Sequence, residues 1–213
     1  LDYQLIRARL LAIMNQTESQ QINAFRQQLH DNPNNQPARL SLTFALMDKN
    51  EFDAARTEIA VLLTKYPQRV DYIIASADID IAENKPEFAL KTLQQALLLN
   101  PNNDALRFYA ANAAIKSQRY DLALTWLTPL SYERPEDPYV WQKLIEVYQA
   151  QKDALNLLKA RAEFSFLLGD IDKALKDLEQ AKNLAQNNYP LLAKINARFL
   201  ALTELKANTK KLR

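Results

Sequence analysis

The segment NPNNQPARLSLTFALMDKNEFDAARTEIAVLLTKYP, residues 32–67, begins and ends on a proline-bearing junction. Between Pro33 and Pro67 lie two apolar stretches of helical period, separated by the polar break DKNE at residues 48–51. The same proline returns at Pro101 and Pro135, so four prolines stand 34 residues apart. Proline cannot donate the next helical hydrogen bond, which suits it to a junction between helices.

The intervals between these prolines share more than length. With each proline set at position 32 of its unit, position 8 carries Thr43, Ala77 and Ala111, and position 20 carries Ala55, Ala89 and Ala123. Small side chains there let two helices cross closely. Position 24 is apolar (Ile59, Leu93, Leu127), as is position 27 (Leu62, Ala96, Leu130). Position 17 opens a second helix at Phe52, Pro86 and Tyr120, and proline is tolerated in a first turn. Amphipathic helices alone account for the apolar positions, but not for the phase-locked alanines and prolines. A helix–turn–helix unit of this length resembles the tetratricopeptide repeat (TPR). The expected fold class is all-α, a right-handed superhelical TPR solenoid of about twelve helices.

Four segments follow. Residues 1–35 read as a degenerate N-terminal repeat with helices near 2–14 and 19–30. Residues 36–137 hold three regular repeats, and residues 138–187 hold phase-shifted TPR-like helices. Residues 188–213 form a capping helix and tail. The phase breaks because Ile145 and Leu157 are large where small residues are expected. Half a repeat later Ala162, Gly169, Ala174 and Ala181 restore it, so a change of stacking is expected between Val147 and Ala160. Pro129, inside a helix, predicts a kink or an early end.

Composition excludes several classes. The chain of 213 residues has one glycine, no cysteine, one histidine and a net charge of +2. Nucleotide-binding loops need glycines for backbone approach to phosphate. Thiolate metal sites need cysteine, and nucleic-acid binding calls for a basic face. No apolar run is long enough to span a membrane. No nucleophile–base pair is visible, and His30 reads as an exposed helix-end residue. Asp78, Asp80 and Glu83 read as a solvated face, and the basic residues Lys206, Lys210, Lys211 and Arg213 as a solvated terminus. No catalytic residue, cofactor or metal ligand is expected in this chain.

In a TPR array the first helix of each unit lines the concave face. The candidate protein-binding groove is therefore Leu40, Phe44, Met47, Ile74, Asp78, Ile81, Phe108, Asn112, Ile115, Tyr139, Gln142 and Glu146. It is apolar toward the N-terminal repeats and polar toward the fourth. Adaptors that clamp a carboxylate place Lys, Arg and Asn at these positions, so this groove suits an apolar extended or helical segment instead. The competing reading is that some of these side chains are core.

Longer segments carry a narrower resemblance: YQLIRARLL (3–11), NPNNQPARLSLTFALM (32–47), RPEDPYVWQKLIEVYQAQKD (134–153), ARAEFSFLLGDIDKALKDLEQA (160–181) and INARFLALTEL (195–205). Together they resemble the C-terminal TPR region of BepA-type periplasmic zinc metalloproteases, the β-barrel assembly-enhancing protease family. The resemblance implies a periplasmic location and a preceding protease domain, with zinc expected only there. Implied partners are that protease domain, the outer-membrane β-barrel assembly machinery and its β-barrel substrates. A role in assembly and quality control, with chaperone-like activity, is implied too. The family's H-E-x-x-H motif has no counterpart here. The opening on Leu1, inside a helical pattern, is read as the start of an excised fragment. The alternative is a free-standing TPR scaffold or adaptor in another bacterial envelope complex.

Overall fold

In the computed structural model, which describes residues 19–211, the chain runs as helices joined by short turns, with no strand among the described residues. The helices are α1 (Ser19–Asp31), α2 (Gln36–Asp48), α3 (Phe52–Lys65), α4 (Val70–Ala82), α5 (Pro86–Leu99) and α6 (Asp104–Lys116). They continue with α7 (Tyr120–Glu133), α8 (Pro138–Ala150), α9 (Ala154–Leu167), α10 (Ile171–Leu184) and α11 (Tyr189–Lys211). The helix expected near residues 2–14 lies outside the described residues. Two compact units are present: one ends at Ser117 and the other begins at Gln118.

The four prolines have a more specific task than stopping a helix. Each is the second residue of a four-residue turn closed by a backbone bond. Asn35 donates to Asn32 at 3.0 Å, and Arg69 to Tyr66, Asn103 to Asn100 and Asp137 to Arg134, each at 3.1 Å. Proline's fixed φ presets that position of a turn. The last residue of three of these turns is also an N-cap: Asn35, Asn103 and Asp137 accept a backbone N–H from the helix they begin. Such a cap satisfies an otherwise orphaned donor, worth about 1 kcal/mol.

The turns inside each repeat follow a second rule. Asn50, Asn84, Gln118 and Lys152 all have φ near +60°, and Gly169 has φ +82°. At Asn50, the next residue, Glu51, donates back to Leu46 at 2.9 Å, and Lys85, Asp153 and Asp170 close the equivalent rings. This six-residue ring is the Schellman way to end a helix, and it needs one left-handed residue. Only at Gly169 does glycine supply it. A Cβ there would meet nothing within 4 Å, so Gly169→Ala isolates the conformational term. It should destabilise by about 1 kcal/mol, read by thermal melting, and Lys152→Gly should move the other way by a few tenths.

The small-residue positions are the interior. Thr43, Ala77, Ala111, Ala55, Ala89 and Ala123 are all 0% exposed. Ile59, Leu93 and Leu127 are at most 1% exposed beside them. In the second unit Ala162, Ala174 and Ala181 pack with Leu158, Leu178, Ile195 and Leu202. Helix α9 lies against both α8 and α10. Helix α7 continues past Pro129 to Glu133, so the expected early end does not occur. The length of α7, 14 residues, equals that of α3 and α5. Helix α11 takes up most of the segment expected as capping helix and tail, running to Lys211, and Lys206 is bonded to the Asp172 carboxylate rather than free.

Candidate functional site

In the first unit the leading helices α2, α4 and α6 pack side by side, which brings the predicted groove residues of three repeats together. Leu40, Phe44, Ile74 and Ile115 are only 2–8% exposed. These four are packed interior rather than groove lining. Leu40 and Phe44 pack there in one cluster with Leu42, Leu46 and Tyr72. Met47, Asp78, Ile81, Phe108 and Asn112 remain half-buried and form the accessible strip of this set. Phe108 packs edge-on against Tyr109, with ring centroids 5.7 Å apart.

Asp80 and Glu83, at the end of α4, are not a solvated face. Asp80 is 6% exposed and receives a bond from Arg56 of α3 at 2.8 Å, while Glu83 takes the other arm of the same guanidinium. Burial alone would push the Glu83 carboxyl up, but hydrogen bonds from Arg56 and Lys85 hold it below the usual carboxylate range. Arg56 is the residue that sequence reading missed. It lies 24 and 27 residues from its partners, a separation that no local pattern displays. Beside it, Tyr72 is fully buried and donates its hydroxyl hydrogen to Gln36 at 2.6 Å. Gln36 in turn donates to Tyr66 at 2.9 Å. These contacts tie α2, α3 and α4 together. His30 sits exposed in the last turn of α1, 3.4 Å from Asp31.

The second unit holds a cavity of about 290 Å³ that the sequence reading did not foresee. Helix α7 contributes Thr128, Ser131 and Tyr132, and α8 contributes Trp141, Leu144 and Tyr148. Helix α9 adds Asn156, Lys159, Ala160 and Glu163; α10 adds Leu178. The wall from α11 is Leu191, Lys194, Ile195 and Arg198. The face of α8 that lines this cavity differs from the one expected to line the protein-binding groove. Trp141, Leu144 and Tyr148 recur at three and four residues and share a side. Tyr139, Gln142 and Glu146 share the other: the first two are exposed, and Glu146 bonds Lys143 at 2.9 Å.

The polar groups of this cavity are ordered by one another. Arg198 meets Glu163 through two bonds, of 2.8 and 2.6 Å, and its guanidinium lies 4.8 Å over the Phe166 ring. Trp141 donates its indole N–H to the Pro135 carbonyl at 2.8 Å. Asp153 caps α9 and accepts from the Asn156 amide at 2.7 Å, and Asn156 accepts from Lys159 at 3.1 Å. Burial holds Lys159 below the ordinary lysine range, with the charge of Lys194 acting in the same direction and Asp153 opposing. Burial also raises the Tyr148 phenol, although its bond with Thr128 opposes the rise. The signal that could have found this site was the pair Ile145 and Leu157, large residues where close crossing needs small ones. Among the described residues no group of His, Asp or Glu side chains is placed to hold a metal ion, and no helix is long and apolar enough to cross a membrane.

Comparison with known proteins agrees with this geometry. The tetratricopeptide repeat profile matches residues 22–77 and 80–145, more than half of the chain. The chain is 27% identical to the beta-barrel assembly-enhancing protease of Yersinia pestis, over 76% of this chain and 35% of that protein. It is 28% identical to the protein of that name from Escherichia coli K12, over 77% and 34%. The chain thus spans about a third of the length of the curated relatives it matches. Among solved structures it resembles a tetratricopeptide repeat protein from Parabacteroides merdae: 16% identity, TM-score 0.54, covering 86% of this chain and 76% of that one. It also resembles the APC/C hetero-tetramer Cut9–Hcn1: 15% identity, TM-score 0.64, covering 97% and 43%. Identities this low speak for the fold alone. The period, the buried alanine crossings and the profile match agree, and the chain belongs to the tetratricopeptide-repeat family, as a protein-binding domain related to the β-barrel assembly-enhancing proteases.

Proposed function

We propose that this chain is the non-catalytic recognition part of a periplasmic zinc metalloprotease that acts, with chaperone-like activity, in outer-membrane β-barrel assembly and quality control. The observation that supports the reading is the similarity to β-barrel assembly-enhancing proteases across three quarters of the chain, confined to about a third of theirs. In this role the chain contacts its own protease domain, the assembly machinery and β-barrel substrates, and the zinc belongs to the protease domain. The half-buried strip of Met47, Ile81, Phe108 and Asn112, together with exposed Tyr139 and Gln142, supplies contact residues that leave the interior untouched.

Two measurements test this. The coding region on the N-terminal side of Leu1 should carry a secretion signal and an H-E-x-x-H motif; a start codon adjacent to Leu1 would favour the free-standing scaffold instead. In cells, a photo-crosslinking residue at Phe108 or Gln142 of the full-length protein should capture barrel-assembly components. Capture that is no stronger than from the exposed position Lys91 on α5 would count against the reading.

A further inference from the structure

The cavity of the second unit has the chemistry of a ligand site. Its floor is apolar and well packed: Leu144, Ala160, Leu178 and Ile195 are each 2% exposed. Two lysines reach the same space from different helices, Lys159 from α9 and Lys194 from α11. Neither forms an ion pair with a carboxylate among the described residues, although the charge of Asp153 acts on Lys159. Lys159 bonds the neutral Asn156 amide, and Lys194 makes no ion pair among the described residues. Arg198 differs, because Glu163 already saturates it. Two like charges beside an apolar floor repel; burial is the main cause that holds Lys159 below the ordinary lysine range, and Lys194 adds to it against the opposing Asp153. A single anion between the two lysines would relieve the repulsion.

Size narrows the ligand further. At about 290 Å³ the space lies at the lower end for small-molecule sites. It holds one bulky group, not a strand or helix of a partner. We propose that this cavity binds a monocarboxylate attached to one large apolar group, its carboxylate between Lys159 and Lys194 and its apolar body against Leu144, Trp141 and Ile195. Two sources share that chemistry: the last residue of a polypeptide, and a free aryl or alkyl carboxylic acid. The site needs only the second unit, so it stands or falls separately from the role in barrel assembly.

The test uses the whole chain with Trp126→Phe, so that Trp141 fluorescence reports the cavity. N-acetyl-L-phenylalanine should bind saturably, and N-acetyl-L-phenylalaninamide at least about tenfold more weakly, because only the acid carries the charge. Lys194→Met, a change at an exposed lysine, should weaken the acid about tenfold and leave the amide unchanged. Unchanged circular dichroism confirms that this variant folds. If 3-phenylpropionate binds as tightly as the acetylated amino acid, the source is a free acid. If it binds about tenfold more weakly, the source is a polypeptide end. Equal binding of acid and amide, an acid affinity unmoved by Lys194→Met, or no saturation by either acid would overturn the proposal.

Discussion

Phe44→Glu should melt the first unit far below the parent chain, whereas Phe108→Glu should lower its melting only slightly. Phe44 is 6% exposed and packs in one cluster with Leu40, Leu42, Leu46 and Tyr72. A carboxylate forced into that cluster loses its hydration, at a cost on the order of 4 kcal/mol. For a unit of this size that corresponds to a fall in melting temperature of roughly 15 °C. Phe108 is half-buried, so a glutamate there can turn its carboxylate to water, and the expected loss is about 1–2 kcal/mol. Differential scanning calorimetry of both variants decides the matter. Similar melting of the two would mean that Phe44 is as accessible as Phe108 and belongs to an open groove after all.

Arg56→Met has the second-largest expected effect. Arg56 joins α3 to α4 through Asp80 and Glu83, and Asp80 is almost fully enclosed. Methionine keeps much of the arginine stem's volume, so the loss is electrostatic. Asp80 is left as a buried charge without its cation, which costs about 2 kcal/mol after allowance for an arginine that is 38% exposed. The pH dependence gives a second reading. Glu83 is held below its ordinary range in the folded chain, so its pairing stabilises the fold above the unfolded carboxylate pKa. That contribution disappears as pH falls through the depressed folded value. The gap between parent and variant should therefore be full at pH 7 and narrow below about pH 4. A gap that does not change with pH would assign the loss to packing instead.

These two residues also mark how far the sequence could be read. The period, the helix starts at Phe52, Pro86 and Tyr120, and the crossings at Ala55 and Ala89 were legible because they are local and repeated. Each recurs with the same neighbours, so the pattern averages out accident. Burial at Leu40, Phe44, Ile74 and Ile115 was not legible. Whether an apolar residue on a leading helix closes over or stays open depends on how near the adjacent helix comes, which is a tertiary distance. Arg56 was missed for a related reason: its partners lie in the next repeat, and a guanidinium can reach either of two helices. The cavity was hidden because it forms where the repeat pattern fails. The profile match likewise stops at residue 145, just short of that failure.

The left-handed turn residues put that failure into a different language. They punctuate the chain every 34 residues at Asn50, Asn84, Gln118 and Lys152, and then once after only 17, at Gly169. The interval behaves like a frameshift. A single helix, α9, stands where the grammar calls for a pair, and it must serve as the second word of one phrase and the first of the next. It keeps Ala162, the small residue of a leading helix, but has Leu157 where a trailing helix would be small, so the rest of it is released from the spelling that binds the regular helices. Lys159 and Glu163 occupy that unconstrained stretch. Such a chain can grow or shrink by one helix at a time, and excising residues 154–170 would restore the frame while erasing both side chains. Irregularity at this point is what leaves the chain room to write something other than the repeat.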